Sequence, residues 1–410
     1  MDSLSEANTH FALDLFQQFK PSKKNDNIFY SPLSIASALA MTYLGAKENT
    51  ALEIGKVGVS CLHTDQPRRI SPLAWVQMTT DPAAQHRRLG KHSHNWVEKL
   101  GNVHHQFQKL LTELKKPTDA YELNIANKFY GENKFPFLQE YMDNVKKFYL
   151  ASVESVDFQK AAEETRKKIN SWVESQTNGK IKDLLPENSL ESTVLVLVNA
   201  VYFKGLWDKK FDKKYTVEEK FWLNKDTSKP VQMMKQSSVF NFTSLEDVQA
   251  KILEMPYKGK DLSMMLLLPN EVDGLQKLED QLTAEKLAEW TSSQNMSDRW
   301  VDLYLPRFKV EDDYDLKATL QALGMLDAFN TQRANFSGMT GSLDLAVSKA
   351  LHKSFVEVTE EGTEATASTD VNAGYTSLPT YHFRCDHPFL FFIKHNKTNC
   401  ILFLGRVSSP

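Results

Sequence analysis

The run Thr193-Val-Leu-Val-Leu-Val-Asn-Ala-Val-Tyr-Phe203 is β-branched and apolar at both parities. Side chains alternate faces along a strand, so a strand of this composition belongs in the middle of a sheet that is covered on both sides. What must cover it is written on either side. Ala7, Phe11, Ala12, Leu15, Phe16 and Phe19 recur at helical spacing and predict an amphipathic helix over residues 5–20. Ser31-Pro32 opens a second helix, Leu33 to Leu44, whose lack of a polar face makes it central. A third, Ala161 to Thr177, carries Lys and Glu outward and is closed by Asn178-Gly179. Later strands are predicted at Leu262–Pro269, at Val301–Leu305 with strict alternation, and in a hairpin of Phe389–Ile393 and Ile401–Leu404 joined by a polar turn. Helices followed by mixed strands, with no internal repeat and no long linker, predict an α+β fold in one large domain spanning residues 1–410.

Composition excludes several functions. Of 410 residues, 41% are hydrophobic and 25% charged, and the formal net charge is -3. That balance lacks the clustered basic excess that phosphate binding requires, so no nucleic-acid partner is expected. The N-terminal residues have early acids and no basic, apolar start, unlike a secretory signal, and no apolar run approaches the ~18 residues of a membrane helix. The expectation is a soluble, monomeric, cytoplasmic chain with no membrane partner, released, if at all, by a route independent of a signal peptide. Cys61, Cys385 and Cys400 are too few for a disulfide framework and read as free thiols in a reducing compartment. Four sequons, at Asn241, Asn295, Asn335 and Asn396, matter only if the chain is secreted.

Residues 58–100 hold scattered prolines, the pairs Arg68-Arg69 and Arg87-Arg88, and His63, His86, His92 and His94, with no sustained period; they read as an atypical interhelical loop. His92-Ser-His94 has no carboxylate or thiol partner at metal-ligand spacing, so no metal or other cofactor is expected. Enzyme signatures are missing as well. There is no Gly-x-Ser-x-Gly elbow, no phosphate-binding Gly-x-x-x-x-Gly-Lys-Ser/Thr and no His-Glu-x-x-His helix, so no catalytic residue is assigned and the chain is not read as an enzyme. His352, between Leu351 and the strand-like Phe355-Val-Glu-Val358, reads as a hydrogen-bonded structural residue.

The segment from Glu360 to Gly374 combines strand periodicity with loop composition. Thr363, Ala365, Ala367, Thr369, Val371 and Ala373 share one face; Glu364, Thr366, Ser368, Asp370 and Asn372 share the other. Nothing on the first face exceeds valine, so such a strand can enter a narrow slot in an existing sheet without overpacking.

Four motifs in order give this pattern a context: Asn27-Ile-Phe-Tyr-Ser31-Pro-Leu-Ser34-Ile35, Leu197-Val-Asn199-Ala-Val-Tyr-Phe203-Lys-Gly205-Leu-Trp207, residues 360–369, and Asp386-His-Pro-Phe-Leu-Phe-Phe-Ile393. The chain resembles a serpin, and within that family the ovalbumin-like intracellular clade that includes the squamous cell carcinoma antigens and headpin. The resemblance implies three β-sheets, about nine helices and an exposed hinge and reactive loop over residues 360–384. It also implies a mechanism, in which a protease forms an acyl-enzyme on the loop and the cleaved loop inserts as a new central strand, distorting the trapped enzyme. Roughly ten new ladder hydrogen bonds at about 1 kcal/mol each make insertion favourable by on the order of 10 kcal/mol. By resemblance, Glu361, Gly362, Thr363, Glu364, Ala365, Thr366, Ala367, Ser368 and Thr369 form the hinge. Ser31, Ser34, Asn199 and His352 match the shutter beneath the opening sheet, and Trp207 the breach at its top. The family register puts the reactive bond at Thr376-Ser377, with Tyr375 and Leu378 as recognition residues. Tyr375 before the cleaved residue suits a cathepsin L-like papain-family cysteine protease; a shift of one residue puts Tyr375 itself in the primary pocket and suits a chymotrypsin-like serine protease. The alternative is a non-inhibitory serpin that acts as a binding or storage protein.

Overall fold

A computed structural model describes residues 3–58, 103–361 and 379–410. Fourteen strands run in chain order: β1 (Ile28–Tyr30), β2 (Tyr121–Glu132), β3 (Ser152–Val156), β4 (Leu195–Gly205), β5 (Val217–Trp222), β6 (Ser228–Leu245), β7 (Ala250–Pro256), β8 (Leu262–Pro269), β9 (Ser297–Pro306), β10 (Phe308–Asp315), β11 (Lys349–Val358), β12 (Tyr381–Arg384), β13 (Phe389–His395) and β14 (Cys400–Val407). With ten α-helices among the described residues, this is the α+β arrangement that the sequence predicts.

The strands form two hydrogen-bonded sheets. One has five strands in the order β10-β11-β4-β2-β3; the other has nine, β1-β14-β13-β8-β7-β6-β9-β12, with β5 paired to β6. The resemblance implied three sheets. Two of them share β6, whose 18 residues pair with β5 over 228–233, with β9 over 233–242 and with β7 over 241–245, so the ladder runs on unbroken from one to the other.

The doubly apolar run becomes β4 and occupies the middle of the five-stranded sheet. Leu195, Leu197, Val201 and Phe203 enter the main core, which lies between the two sheets. Val196, Val198, Ala200 and Tyr202 face a second cluster, closed from outside by Ile169 and Val173 of the helix Ala162–Gln176 and by Ile181, Leu185 and Leu190 of the connection that follows it. That helix ends at the predicted punctuation, where Asn178 and Gly179 turn left-handed at φ 51° and 71°.

Helix α1 (Ser3–Phe19) buries the predicted stripe, and α2 (Pro32–Gly45) is covered on nearly every side. Ser31 caps α2 by accepting from the Ser34 N–H at 3.2 Å, with Pro32 at the first helical position. Helix α3 (Glu48–Gly58) carries the chain through Gly58, so the start expected for the interhelical loop is helical; residues 59–102, including Cys61 and the histidine-rich stretch, lie outside the described residues. Cys385 and Cys400 are buried. Among the described residues no helix is long and apolar enough to cross a membrane.

The nine-stranded sheet is packed tightly enough to test. A Cβ at Gly405 would lie 2.5 Å from the fully buried ring of Phe391 and 3.0 Å from the backbone oxygen of Ile28. Gly405→Ala is therefore expected to cost about 1–3 kcal/mol in urea unfolding at neutral pH, the usual penalty for overpacking; an unchanged midpoint would mean this core is looser than described.

Candidate functional site

Two seams of the five-stranded sheet are parallel, β2–β3 at its edge and β4–β11 in its interior between antiparallel neighbours. β11 and β4 run parallel, in a register of eight pairs from Lys349↔Val196 to Val356↔Phe203. Each is antiparallel to its other neighbour, β10 or β2. The chain leaves the end of β11 at Thr359, so a segment turning back between β11 and β4 would run antiparallel to both. Such an entry replaces one slanted parallel ladder by two antiparallel ones.

A row of polar side chains crosses the seam on the core side. Pairing aligns Asn127 of β2 with Asn199 of β4, Asn199 with His352 of β11, and His352 with Tyr314 of β10. The Ser31 N–H donates to His352 Nε2 at 3.1 Å, so that nitrogen is bare and Nδ1 carries the proton, which it donates to Asn199 Oδ1. The Asn199 amide donates to Ser34 and to Asn127 Oδ1, and Asn127 donates to Ser37 Oγ at 2.9 Å. Ser31 Oγ donates to the Leu402 carbonyl at 2.7 Å, and Ser354 Oγ to that of Phe29 at 2.8 Å. Every polar group in the row has a partner, and the His352–Asn199 bond is the one that spans the seam. Burial pushes the His352 imidazole down to about 3, because a charge there would be desolvated and would meet a donor at Nε2.

A second constellation closes the seam where β11 ends. The Trp207 indole N–H donates to the Thr359 carbonyl at 2.9 Å, and its ring stacks on Tyr257 at 4.6 Å and 12°. Glu360, only 1% exposed, accepts from Arg307 Nε at 2.6 Å and from the Thr216 hydroxyl. Burial pulls its carboxyl upward, but the bonds from Arg307 and Thr216 outweigh this and hold it below the ordinary value. Exposed Glu361 pairs with Lys213 at 2.9 Å.

The structure thus brings Ser31, Ser34, Asn199 and His352 into one network, and sets Trp207 and Glu361 apart from them beside the exit of β11. Gly362 through Thr369, Tyr375, Thr376, Ser377 and Leu378 lie outside the described residues. Asn127, Ser37 and Ser354 in the network, and Arg307, Thr216 and Lys213 around the exit, went unpredicted. Asn127 had a legible signal: it shares the parity of the fully buried Phe129 in its strand.

A serpin family model, described as serine protease inhibitor, matches residues 6–410. The chain belongs to the serpin family. It is 63% identical over 414 residues to Serpin B3 of Homo sapiens, covering all of both chains. Among solved structures, uncleaved ovalbumin matches with a TM-score of 0.84 at 39% identity, covering 99% of this chain and 100% of that one. A loop-inserted, cleaved ovalbumin mutant matches with a TM-score of 0.80, again at 39% identity and with 99% and 100% coverage. The family is described by protease inhibition, and this serpin carries its β4–β11 seam closed.

The neutral histidine gives a pH signature. The unfolded chain takes up the His352 proton near 6.5 and the folded protein only near 3, so between those values the unfolded state holds more protons and stability falls as pH falls. His352→Gln lacks this contribution. The variant is expected to be the less stable protein at pH 7.5, with the gap narrowing by about 2 kcal/mol at pH 5 in urea unfolding. A gap independent of pH would contradict the buried neutral assignment.

Proposed function

We propose that this serpin is a suicide-substrate inhibitor that traps a papain-like, cathepsin L-like cysteine protease or a chymotrypsin-like serine protease by cleavage and insertion of its loop. The observation that carries the reading is the match between seam and segment. A parallel β4–β11 pair stands beside the exit of a chain whose next residues alternate a small face with a polar one. Insertion places Thr363, Ala365, Ala367, Thr369, Val371 and Ala373 inward, where a larger side chain would strain the sheet. A loop that never enters a sheet has no use for that alternation, which weighs against a binding or storage role. The printed description of the cleaved ovalbumin mutant as loop-inserted shows that a relative of this fold makes the transition.

In this reading residues 1–410 form one serpin domain, and the hinge and reactive loop expected over 360–384 end before Tyr381, because Tyr381–Arg384 form β12 paired with β9. Ser31, Ser34, Asn199 and His352 are the shutter, whose seam-spanning bond must exchange during opening. Trp207 forms the breach, and the bonds of Glu360 and Glu361 steady the loop's departure. Cleavage falls at Thr376-Ser377, with Tyr375 and Leu378 read by the protease. A monomeric, cytoplasmic inhibitor of endogenous or leaked lysosomal proteases fits a chain with only three cysteines.

Incubation with cathepsin L and with chymotrypsin, followed by denaturing gels and mass spectrometry, tests this directly. The expected result is a covalent adduct with one of them and a new C-terminal peptide beginning at Ser377 or, in the shifted register, at Thr376. Complete turnover to cleaved serpin with no adduct would overturn inhibition. Ala365→Arg is expected to convert inhibitor into substrate, because insertion would bury an unpaired guanidinium; undiminished adduct would show that Ala365 does not face inward.

A further inference from the structure

The outer face of the seam is covered by a strap, made of the helix Ala162–Gln176 and the connection over residues 177–194. The two behave as one body. Asn170 exchanges two hydrogen bonds with the Leu185 backbone at 3.0 and 2.9 Å, Arg166 donates to the Leu185 carbonyl at 3.0 Å, and Thr177 Oγ1 accepts from the Ile181 N–H at 3.1 Å. The strap shares one apolar cluster with Val196, Val198 and Ala200 of β4 and with Phe355 of β11, so it lies across both sides of the seam.

Its attachments to the two sides are unequal. On the β11 side Lys353 Nζ, itself paired with Glu311 at 2.9 Å, donates one hydrogen bond to the Lys182 carbonyl at 3.1 Å, and where the connection ends the Val194 N–H donates to Ser348 Oγ at 3.0 Å. On the far side Lys128 of β2, only 12% exposed, is enclosed by groups from three elements. Its ammonium lies 4.9 Å from the Tyr130 ring centroid and 5.2 Å from that of Trp172 on the strap. It pairs with Glu154 of β3 at 2.6 Å, and Glu154 pairs in turn with Lys168 of the strap. Tyr130 and Trp172 meet edge to face at 6.1 Å and 78°. The strap is therefore held more firmly on the β2–β3 side, by a desolvated cation against the Trp172 ring, by Lys168 on Glu154 and by the Asn178 amide on Glu122 of β2.

We propose that Lys128 is the positioning residue that moors this strap to the β2–β3 side, and that its clasp with Tyr130, Trp172 and Glu154 sets how fast a strand can enter the seam. The proposal rests on loop insertion as the working step. As the seam widens, the strap lets go of β11 first and stays with β2 and β3. An entering strand must then pass beneath a cover held down by Lys128.

The test follows uptake of a fluorescent peptide with the sequence of residues 363–373 by the intact protein, a readout that needs no protease. Lys128→Met is expected to take up peptide about tenfold faster than wild type, the scale of a lost desolvated cation–π clasp. Lys128→Arg, which keeps the cation, is expected to stay near the wild-type rate. Glu154→Gln removes the carboxylate from a more exposed position and is expected to accelerate uptake as well. Val145→Ala, in the helix Gln139–Tyr149, loosens the core away from the strap and is expected to leave the rate unchanged. Equal rates in Lys128→Met, Glu154→Gln and wild type would overturn the mooring role alone, as would an acceleration by Val145→Ala equal to theirs. Failure of the wild type to take up any peptide would overturn insertion itself, and the mooring with it.

Discussion

The parallel contact between β4 and β11 is the interaction on which everything else in this serpin depends. Eight residue pairs hold it, and at its centre one buried hydrogen bond joins His352 to Asn199. A seam made only of backbone ladder and apolar side chains would separate gradually. A neutral imidazole with one nitrogen donating across the seam and the other accepting from Ser31 makes separation all or none, because a lost bond leaves a buried amide unsatisfied at about 1–3 kcal/mol. The closed sheet is therefore stable while closed, yet holds a register into which a better-bonded strand fits.

The surroundings of the seam follow from that demand. β4 must present apolar surface to both faces, since the main core lies behind it and the strap in front. α2 must be central and must start at Ser31, because the same serine that caps the helix places its own N–H against His352 and its hydroxyl against Leu402. In the proposed mechanism the exit of β11 must be fixed, so that insertion waits for cleavage. Trp207 on the Thr359 carbonyl and Arg307 with Thr216 on Glu360 supply that fixation with groups drawn from separate strands and turns.

How much of this was legible in the sequence depended on the range of the interaction. Local rules sufficed for the doubly apolar strand, the Ser31 cap, the Asn178-Gly179 stop and the terminal hairpin, because each is written in a few adjacent residues. β6 was not foreseen: one of its edges passes from β5 to β7 along 18 residues, and its burial never settles into a clean period of two. Of the polar row, Ser34 and Asn199 were reached through family motifs, and His352 was read as hydrogen-bonded without its partner, since nothing local says that residues more than 150 positions apart share a hydrogen bond. Asn127 and Arg307 show the same limit from the other side. Their roles exist only in strand register, and a period-two reading locates a face but never a partner.

Thermal unfolding of the intact protein beside the same protein nicked once in its loop tests the central claim most directly. If the seam is a slot for that segment, the nicked form gains the ladder energy of a full central strand, on the order of 10 kcal/mol, and its midpoint rises by roughly 10 °C. A nicked protein that melts with the intact one would mean that the seam stays closed and that this serpin does not work by insertion.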